Sequence, residues 1–338
     1  MDPILPEVKM HACTPASPTE GVVVSNERCT AGRKPAGFVR HVVIDTSATP
    51  LAGSFVAGQS FGILAPGVDA RGHPHKVRLY SLASPRHGED GHGALVATTV
   101  KRLIDEHHDT GKLFLGVASN FLCDAKPGDK VRLTGPSGKR FVLPADPAAH
   151  DYVFFATGTG IAPFRGMLKE LFERPGRDPL AVKVTLVMGC AYASDLLYDQ
   201  ELRAMANLHP GFRYLTAISR EKQETSAGRR TLYVQDRIGL DPELKELLRA
   251  ERTLVYVCGI AGMELGILQA IATELRDSSG IRAAGYLEWD AEVAGSLDGA
   301  EAAKGSHEAP GVGGVGAWTR RMLHKQVRPT RRVFLEVY

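Results

Sequence analysis

Cysteine is scarce in this chain, and its few copies stand far apart. The 338 residues include five cysteines, and no two of them form a CxxC or CxxH pair. Zinc and iron–sulfur sites use closely spaced ligands, so this spacing argues against a metal centre within the chain. An odd number of scattered cysteines also argues against a disulfide framework, and it predicts a reducing, cytoplasmic location.

Long hydrophobic runs and a charge excess are missing as well. No stretch reaches the roughly 18 apolar residues of a membrane span, and the N-terminus lacks the charged and apolar regions of a signal peptide. The formal net charge of +3 is too small to predict nucleic acid binding. Basic residues still cluster locally, as at Arg229-Arg230. Such a cluster fits either a phosphate-bearing ligand or an ordinary solvated surface.

The order of the patterns predicts two domains behind an N-terminal arm. Residues 1–36 show little periodicity and are predicted to be largely irregular. Residues 37–148 contain short β-rich runs broken by Gly and Pro, which is typical of an antiparallel barrel or sandwich. The predicted strands of this region are Val39–Ile44, Lys76–Ser81, Ala94–Lys101 and Lys130–Thr134.

Residues 149–338 alternate between buried strands and helices. The first run, Tyr152–Ala156, is wholly apolar, as in a strand that is covered on both faces. The alternation that follows predicts a parallel sheet with helices on both sides. Residues 291–316 are rich in Gly and Ala, which predicts a flexible insertion, and Trp318–Lys325 is predicted to be a short helix.

Two motifs of the first domain are candidates for ligand binding. In Arg78-Leu79-Tyr80-Ser81, strand alternation puts Arg78 and Tyr80 on one face. There the guanidinium can hold a phosphate while the ring stacks on a flat ligand. The run Val117-Ala118-Ser119 offers N–H groups and a hydroxyl to a pyrophosphate. A plain edge strand and a helix N-cap at Ser119 or Asn120 are the open alternatives.

Two loops of the second domain follow predicted buried strands. Thr157 and Gly158 begin a glycine-rich turn that leads into a helix, where the main chain can approach an anion closely. Cys258, Gly259 and Met263 lie at the end of a later strand. Ligands of open α/β sheets bind at the carboxyl ends of strands, so both loops are candidate sites. Cys258 equally fits a small buried hydrophobic residue.

A polar group at the end of the third strand of this domain predicts a nucleotide phosphate site. Ser219 and Arg220 end the strand, and Arg230, Tyr233 and Gln235 follow within a short distance. A hydroxyl, guanidinium groups and an aromatic ring can hold a 2′-phosphate and sandwich an adenine. No acidic residue ends the strand to bind a ribose 2′-hydroxyl, so NADP fits better than NAD. A charged surface turn remains the alternative.

The last residues, Arg332–Tyr338, form a strand pattern that ends in an aromatic residue. Chain ends are usually polar and frayed. A ring on an anchored last strand can lie flat on a planar cofactor and can also move aside. An ordinary C-terminal strand is the alternative.

Together and in this order, the motifs resemble the plant-type ferredoxin–NADP(+) reductase family. The resemblance runs from about Phe38 to Tyr338. It rests on RLYS, GVASNFLCDAKPGD, TGPSGK, ATGTGIAPFR, SRE followed by YVQDRI, VYVCGIAGMELGI and the final EVY. It implies an antiparallel β-barrel that binds FAD, followed by an α/β parallel-sheet domain that binds NADP. It also implies an enzyme that exchanges electrons between NADPH and a one-electron carrier, ferredoxin or flavodoxin.

The resemblance implies a role for each candidate residue. FAD would be held by Arg78, Leu79, Tyr80, Ser81, Thr99, Lys101, Val117, Ala118, Ser119, Thr157 and Tyr338. NADP would be held by Thr157, Gly158, Ser219, Arg220, Arg230, Tyr233, Gln235, Gly259 and Met263. Ser81, Cys258, Glu336 and Tyr338 would surround the site of hydride transfer, where Tyr338 swings away to admit the nicotinamide.

Three positions depart from the family pattern. Ala118 replaces a frequent Cys, Asp105 stands where plastid members have a Tyr that stacks on the FAD adenine, and Thr231 replaces a basic residue. The second departure predicts looser adenosine binding, and the third leaves the strength of the NADP preference open. Arg229 or Arg230 can supply the positive charge of the basic residue that Thr231 replaces.

Two other functions fit the same resemblance. One is a flavin reductase subunit that serves an oxygenase, such as the reductase of benzoyl-CoA epoxidase, although Cys13 and Cys29 cannot form the iron–sulfur cluster of that protein. The other is a flavin-binding module that acts in assembly or regulation without turnover. The presence of Ser81, Cys258 and Glu336 argues against this second alternative.

Overall fold

The computed structural model describes residues 2–275, 282–283, 285–289, 315–323 and 325–338. Within these ranges the chain forms one large antiparallel sheet and one large parallel sheet, as the sequence predicts, together with two small sheets. Of the predicted insertion at 291–316, only Val315 and Gly316 fall inside the described residues. The helices in these ranges all lack the length and hydrophobicity needed to cross a bilayer.

The N-terminal part of the chain forms a barrel. Its elements are β1 (Thr19–Arg28), β2 (Val39–Asp45), β3 (Ser60–Leu64), β4 (Arg78–Ser81), β5 (Leu95–Lys101), β6 (Ile104–Glu106), β7 (Leu113–Leu115), α1 (Val117–Asp124) and β8 (Lys130–Ser137). Six of the strands make one antiparallel sheet in the order β4-β3-β8-β1-β2-β5. An antiparallel bridge from Leu82 to Thr98 joins its two outer strands, so the sheet closes on itself. The other two, β6 and β7, form a separate hairpin.

Strand β1 corrects the prediction that residues 1–36 are largely irregular. It pairs with β2 on one side and β8 on the other, so it lies at the centre of the sheet. Only Gly21 and Val23 of this strand are buried, which leaves too sparse an apolar pattern to mark a core strand. Gly21 has no room for a side chain, because a Cβ there would lie 2.6 Å from the Ile44 side chain. The barrel therefore begins well before residue 37.

The C-terminal part is a parallel sheet with helices on both faces. Its elements are β9 (Asp151–Thr157), α2 (Ala162–Phe172), β10 (Val184–Cys190), α3 (Asp199–Leu208), β11 (Phe212–Ile218), α4 (Asp236–Leu240), α5 (Pro242–Arg249), β12 (Thr253–Gly259), α6 (Met263–Glu274), β13 (Arg282–Ala283), β14 (Leu287–Trp289), β15 (Val327–Pro329) and β16 (Val333–Val337). The main sheet has the order β11-β10-β9-β12-β16, and β13, β14 and β15 form a small antiparallel sheet. The chain thus builds outward from β9 in both directions, and the switch point of the sheet lies between β9 and β12.

The interior of strand β9, Tyr152–Ala156, is apolar throughout because both of its faces are covered. Tyr152 and Phe154 belong to a core that includes residues of α2 and α3. Val153 and Phe155 belong to a second core, on the other face, that includes residues of α5 and α6. Successive side chains of a strand point to opposite faces, so a strand covered on both sides needs an apolar residue at every position.

The helix predicted at Trp318–Lys325 is absent from the described residues of that segment. A short 3-10 helix covers Val315–Ala317, and turns follow it. Trp318 and Leu323 are both buried in the core beside α6, and Leu323 bridges Val327. The Met322 carbonyl accepts hydrogen bonds from the N–H groups of Lys325, Gln326 and Val327, so a single tight turn, rather than a continuing helix, leads the chain into β15.

Candidate active site

A cleft of about 920 Å³ lies between the barrel and the edge of the parallel sheet. Of the eleven residues predicted to hold FAD, all but Thr157 line it: Arg78, Leu79, Tyr80, Ser81, Thr99, Lys101, Val117, Ala118, Ser119 and Tyr338. Glu336 lines it as well. The fold therefore brings these residues from three barrel elements, β4, β5 and α1, and from the end of the chain at β16 to one concave surface.

Strand β4 lines the cleft along its whole length. It pairs with β3 on one side, and the alternation of a strand predicts that Arg78 and Tyr80 share one face. All four residues, Arg78 to Ser81, nevertheless line the cleft. The cleft thus follows the free edge of β4 rather than one of its faces. Burial raises the pKa of Tyr80 to about 12, so its phenol stays neutral.

The N-terminus of α1 opens into the same cleft. Its N-cap is Gly116, which corrects the alternative of a cap at Ser119 or Asn120. Ser119 donates to the Gly116 carbonyl at 3.1 Å and accepts from the Leu103 N–H at 3.2 Å. The first N–H groups of a helix have no partner within the helix, and the positive end of its dipole attracts anions. A phosphate is the ligand that this corner of the cleft suits.

The hairpin of β6 and β7 adds residues that the sequence did not reveal. Phe114 and Leu103 line the cleft, and Phe114 is 54% exposed. Phe114 lies directly opposite Asp105 in the antiparallel register. An aromatic ring therefore stands across the hairpin from the position where the family pattern has its Tyr. The run Leu113-Phe114-Leu115 is apolar throughout, so no alternation of polar and apolar residues distinguishes Phe114 in the sequence.

The loops after β9 and β12 contact each other at the switch point of the sheet. Thr157 accepts a hydrogen bond from the Ile260 N–H at 3.0 Å, and its hydroxyl lies 3.2 Å from the Met263 sulfur. A Cβ on Gly160 would lie 2.2 Å from the Cys258 carbonyl oxygen, so only glycine permits this approach. Thr157 thus lies behind the cleft, where it ties the two loops together.

Gly158 and Gly259 both adopt positive φ angles, 52° and 148°. A side chain at Gly259 would collide with the Thr157 hydroxyl, at 2.1 Å. The two glycines let the loops turn sharply at the strand ends, which is the predicted binding position.

Cys258 and Glu336 are neighbours in adjacent parallel strands. Cys258 is fully buried, and burial raises the pKa of its thiol well above the usual value, so it is uncharged. Burial raises the pKa of Glu336 to about 7. Within the described ranges, one carboxyl oxygen of Glu336 is buried and has no hydrogen-bond partner. The Glu336 carboxyl, which can carry a proton, therefore lies at the cleft wall, and the neutral Cys258 thiol lies beside it on the next strand.

Glu336 also reaches a second cavity of about 1080 Å³. Four basic or titratable side chains surround this cavity: His11, Lys139, Arg140 and Arg331. Arg331 lies 3.8 Å from Asp2. Glu336 therefore lies between the cleft and a basic cavity on its other side.

Tyr338 closes the rim of the cleft. Its N–H donates to the Gly259 carbonyl and its main-chain oxygen accepts from the Ala261 N–H, both at 3.0 Å. Its phenol oxygen lies 2.9 Å from the Thr159 hydroxyl. The residue is 60% exposed. Its main chain is thus fixed to the loop after β12, while its ring lies at the surface.

The predicted phosphate residues gather at the end of β11. Ser219 donates its N–H to the Cys190 carbonyl, and the Arg220 guanidinium lies 5.8 Å from the centre of the Tyr192 ring. The Leu232 N–H donates to the Ile218 carbonyl, which brings Tyr233 beside this strand end. Main-chain hydrogen bonds between residues 223 and 230 hold Arg230 in a hairpin nearby. We call Ser219, Arg220, Arg230 and Tyr233 the strand-end patch.

Gln235 lies between the strand-end patch and α6. A Cβ on Gly266 would lie 3.0 Å from its amide nitrogen, so Gln235 packs against that helix. Tyr233 is 63% exposed, and both arginines of the patch are exposed. The patch is an open surface rather than a cavity.

Comparison with known proteins places the chain among reductases. Residues 154–268 match the family model described as the oxidoreductase NAD-binding domain. The ferredoxin–NADP reductase of Thermosynechococcus vestitus is 40% identical over 268 residues, which are 78% of this chain and 68% of that protein. The leaf isozyme 1 of rice, a chloroplastic ferredoxin–NADP reductase, is 40% identical over 82% of this chain and 77% of its own length.

Known structures give the same fold. The ferredoxin–NADP(+) reductase of Plasmodium falciparum aligns over 97% of this chain and 99% of its own, with a TM-score of 0.64 at 21% identity. A structure of that protein with 2′P-AMP aligns over 78% of this chain and 95% of its own, with a TM-score of 0.62 at 22% identity.

Proposed function

The chain belongs to the ferredoxin–NADP reductase family, and from that membership we propose that it is an FAD enzyme. It exchanges electrons between NADPH and a one-electron carrier, ferredoxin or flavodoxin. Bound FAD supplies the chemistry, because it exchanges a hydride with the nicotinamide and single electrons with the carrier. The observation that carries the proposal is the cleft in which ten of the eleven predicted flavin residues converge.

The residues of the cleft suit FAD in three places. The N-terminus of α1 and the Arg78 guanidinium offer hydrogen bonds and positive charge to a pyrophosphate. Tyr80 and Tyr338 offer ring faces for the flavin. Phe114, at the hairpin, offers a ring face for the adenine and so takes the place of the Tyr that Asp105 replaces.

NADP(H) is the nucleotide that the strand-end patch suits. Arg220 and Arg230 supply positive charge, Ser219 supplies a hydroxyl, and Tyr233 supplies an exposed ring. Arginine favours a phosphate strongly because its planar guanidinium can bond two oxygens at once. Glycines 158 and 259 leave the main chain open for the nicotinamide end at the switch point.

Glu336 acts as a proton carrier in this proposal. Its pKa of about 7 keeps both protonation states populated near neutral pH, which suits a group that takes up and returns a proton. Because it borders both the cleft and the second cavity, it can pass a proton between them. Ser81 also lines the cleft and offers a hydroxyl. Cys258 lies directly beside Glu336 on the adjacent strand.

The carrier is expected to approach the basic second cavity. Lys139, Arg140 and Arg331 suit an acidic protein surface, and complementary charge mainly increases the rate of encounter. A reducing, cytoplasmic location fits the five free cysteines of the chain.

Stopped-flow reduction of the flavin in the purified protein tests the proposal. We expect NADPH to bleach the flavin absorbance much faster than NADH, and the reduced protein to pass electrons to ferredoxin or flavodoxin. Tyr338→Ser should reduce the difference between the rates at which NADPH and NADH reduce the flavin. A purified protein without flavin, or one that neither nucleotide reduces, contradicts the proposal.

A further inference from the structure

We propose that Thr159 is a positioning residue that holds the Tyr338 ring over the cleft and thereby sets how much binding energy a nicotinamide must supply to enter. The inference rests on the proposed function and concerns the same site. It starts from the 2.9 Å contact between the Thr159 hydroxyl and the Tyr338 phenol. Thr159 itself lines the cleft.

The Thr159 side of this contact is rigid. Thr159 belongs to the 3-10 turn Gly158–Ile161, and its carbonyl accepts the Ala162 N–H at the start of α2. The next residue, Gly160, packs against the Cys258 carbonyl so closely that no side chain fits between them. The main chain of Thr159 therefore cannot follow the Tyr338 ring when that ring moves.

The Tyr338 side has a fixed main chain and a free ring. Two main-chain hydrogen bonds, to Gly259 and from Ala261, hold the backbone to the loop after β12. Within the described part of the chain, the bond to Thr159 is the one hydrogen bond that its phenol makes. Rotation of the ring about its own side-chain bonds thus breaks this single hydrogen bond and leaves the backbone in place.

A ligand that needs the place of the ring must break that bond first. Tyr338 shares the cleft wall with Tyr80 and Ser81. Under the proposed function, its ring covers the position where a nicotinamide would meet the flavin. The apparent affinity of such a ligand falls with the fraction of molecules in which the ring is out. Loss of one neutral hydrogen bond should raise that affinity roughly three- to tenfold. A ligand that binds only at the strand-end patch should be unaffected.

The test compares the dissociation constants of NADP(+) and 2′P-AMP for the FAD-loaded protein. Thr159→Val keeps the shape of the side chain and removes the hydroxyl. We expect it to tighten NADP(+) binding roughly three- to tenfold and to leave 2′P-AMP binding as in the wild type. Thr159→Ser, which retains a hydroxyl, should give the wild-type ratio of the dissociation constants for NADP(+) and 2′P-AMP. The absorbance spectrum of the bound flavin shows whether each variant is folded.

A double-mutant cycle identifies the partner of Thr159. Tyr338→Phe removes the other half of the bond and should produce the same tightening, and the double variant should bind NADP(+) no more tightly than either single variant. An unchanged ratio of the two constants in Thr159→Val, or effects that add in the double variant, overturns the inference alone. A wild-type protein that binds neither nucleotide overturns the proposed function together with it.

Discussion

The cleft and the strand-end patch, the two proposed nucleotide sites, are opposite in character. The cleft is concave and is built from several strands, a helix and a hairpin of the barrel, with Tyr80 half-buried in its wall. The patch is a group of exposed side chains, of which Tyr233 and Arg220 extend into solvent. A concave site buries most of its ligand, whereas an open surface leaves much of the ligand in water.

The difference matches the two ligands of the proposal. FAD remains bound through many turnovers, so an enclosing site built on rigid strands suits it. NADP(H) must enter and leave in every cycle, so an open site with few contacts suits it. Variants in the cleft should therefore change flavin retention, and variants in the patch should change the choice of nucleotide.

Glu336 lies at the cleft wall, on the sheet edge opposite to the strand-end patch, and its replacement should have the largest effect. Burial raises its pKa from 4.5 to about 7, so the folded state holds its proton more tightly than the unfolded state does. The wild type should lose stability as the pH rises from 4.5 through 7, by up to about 3 kcal/mol. Glu336→Gln should remove this pH dependence, as measured by urea unfolding at a series of pH values.

The exposed Glu288 provides the control for that series. Glu288→Gln removes a carboxyl that lies at the surface of β14, so it should leave the pH dependence as in the wild type. Identical pH profiles for Glu336→Gln and the wild type would mean that Glu336 is solvated and ionised in the folded protein.

Arg220 tests the patch alone. Arg220→Ala removes the exposed guanidinium beside Tyr192, and we expect the ratio of NADPH to NADH efficiency to fall by about tenfold. The flavin content should not change, because Arg220 does not line the cleft. Steady-state kinetics with an artificial acceptor and the absorbance ratio of flavin to protein measure the two quantities.

Arg229→Ala is the matched control, since Arg229 is also exposed but pairs with Glu224. If both variants lower the NADPH preference equally, general positive charge determines it rather than Arg220.

Phe114 tests the far end of the cleft and should have the smallest effect of the three. Phe114→Ala removes the ring that faces the cleft, and FAD should dissociate about three- to fivefold more readily. Fluorescence of released flavin during dilution measures this constant. Leu113→Ala is the control, because the neighbouring residue on β7 points to the opposite face of the hairpin. Equal losses in both variants would show that the hairpin matters only as a scaffold.

The sequence predicted the parallel domain better than the barrel, for a physical reason. Strands such as β9 and β12 are covered on both faces, so each contains a run of at least five consecutive residues that are apolar, and that run is visible by itself. Strand β1 has only two buried residues, Gly21 and Val23. Val22 and Val24, which lie in the same strand, are exposed, so the hydrophobic pattern of β1 looks irregular. The end of β4 at Ser81 was predicted, but the strand begins at Arg78 rather than at the predicted Lys76.

The residues of the candidate site also fall into two groups, those that sequence motifs mark and those that only the fold reveals. The resemblance identified residues such as Arg78 and Ser119, which carry recognisable motifs. Phe114 and Thr159 could not be assigned from patterns, because their importance arises from contacts between segments far apart in the chain. The register that sets Phe114 opposite Asp105, and the turn that sets Thr159 beside Tyr338, exist only in the folded molecule.

The central position of β1 also limits how this protein can be divided. Asn26, near the end of β1, donates hydrogen bonds to the carbonyls of Leu122 and Ala125 at the end of α1. A shortened protein that starts at residue 37 would lose two strand pairings of the barrel and the anchor of the helix whose other end faces the cleft. A portable flavin-binding unit, for fusion to another redox partner, therefore has to include the chain from before Thr19.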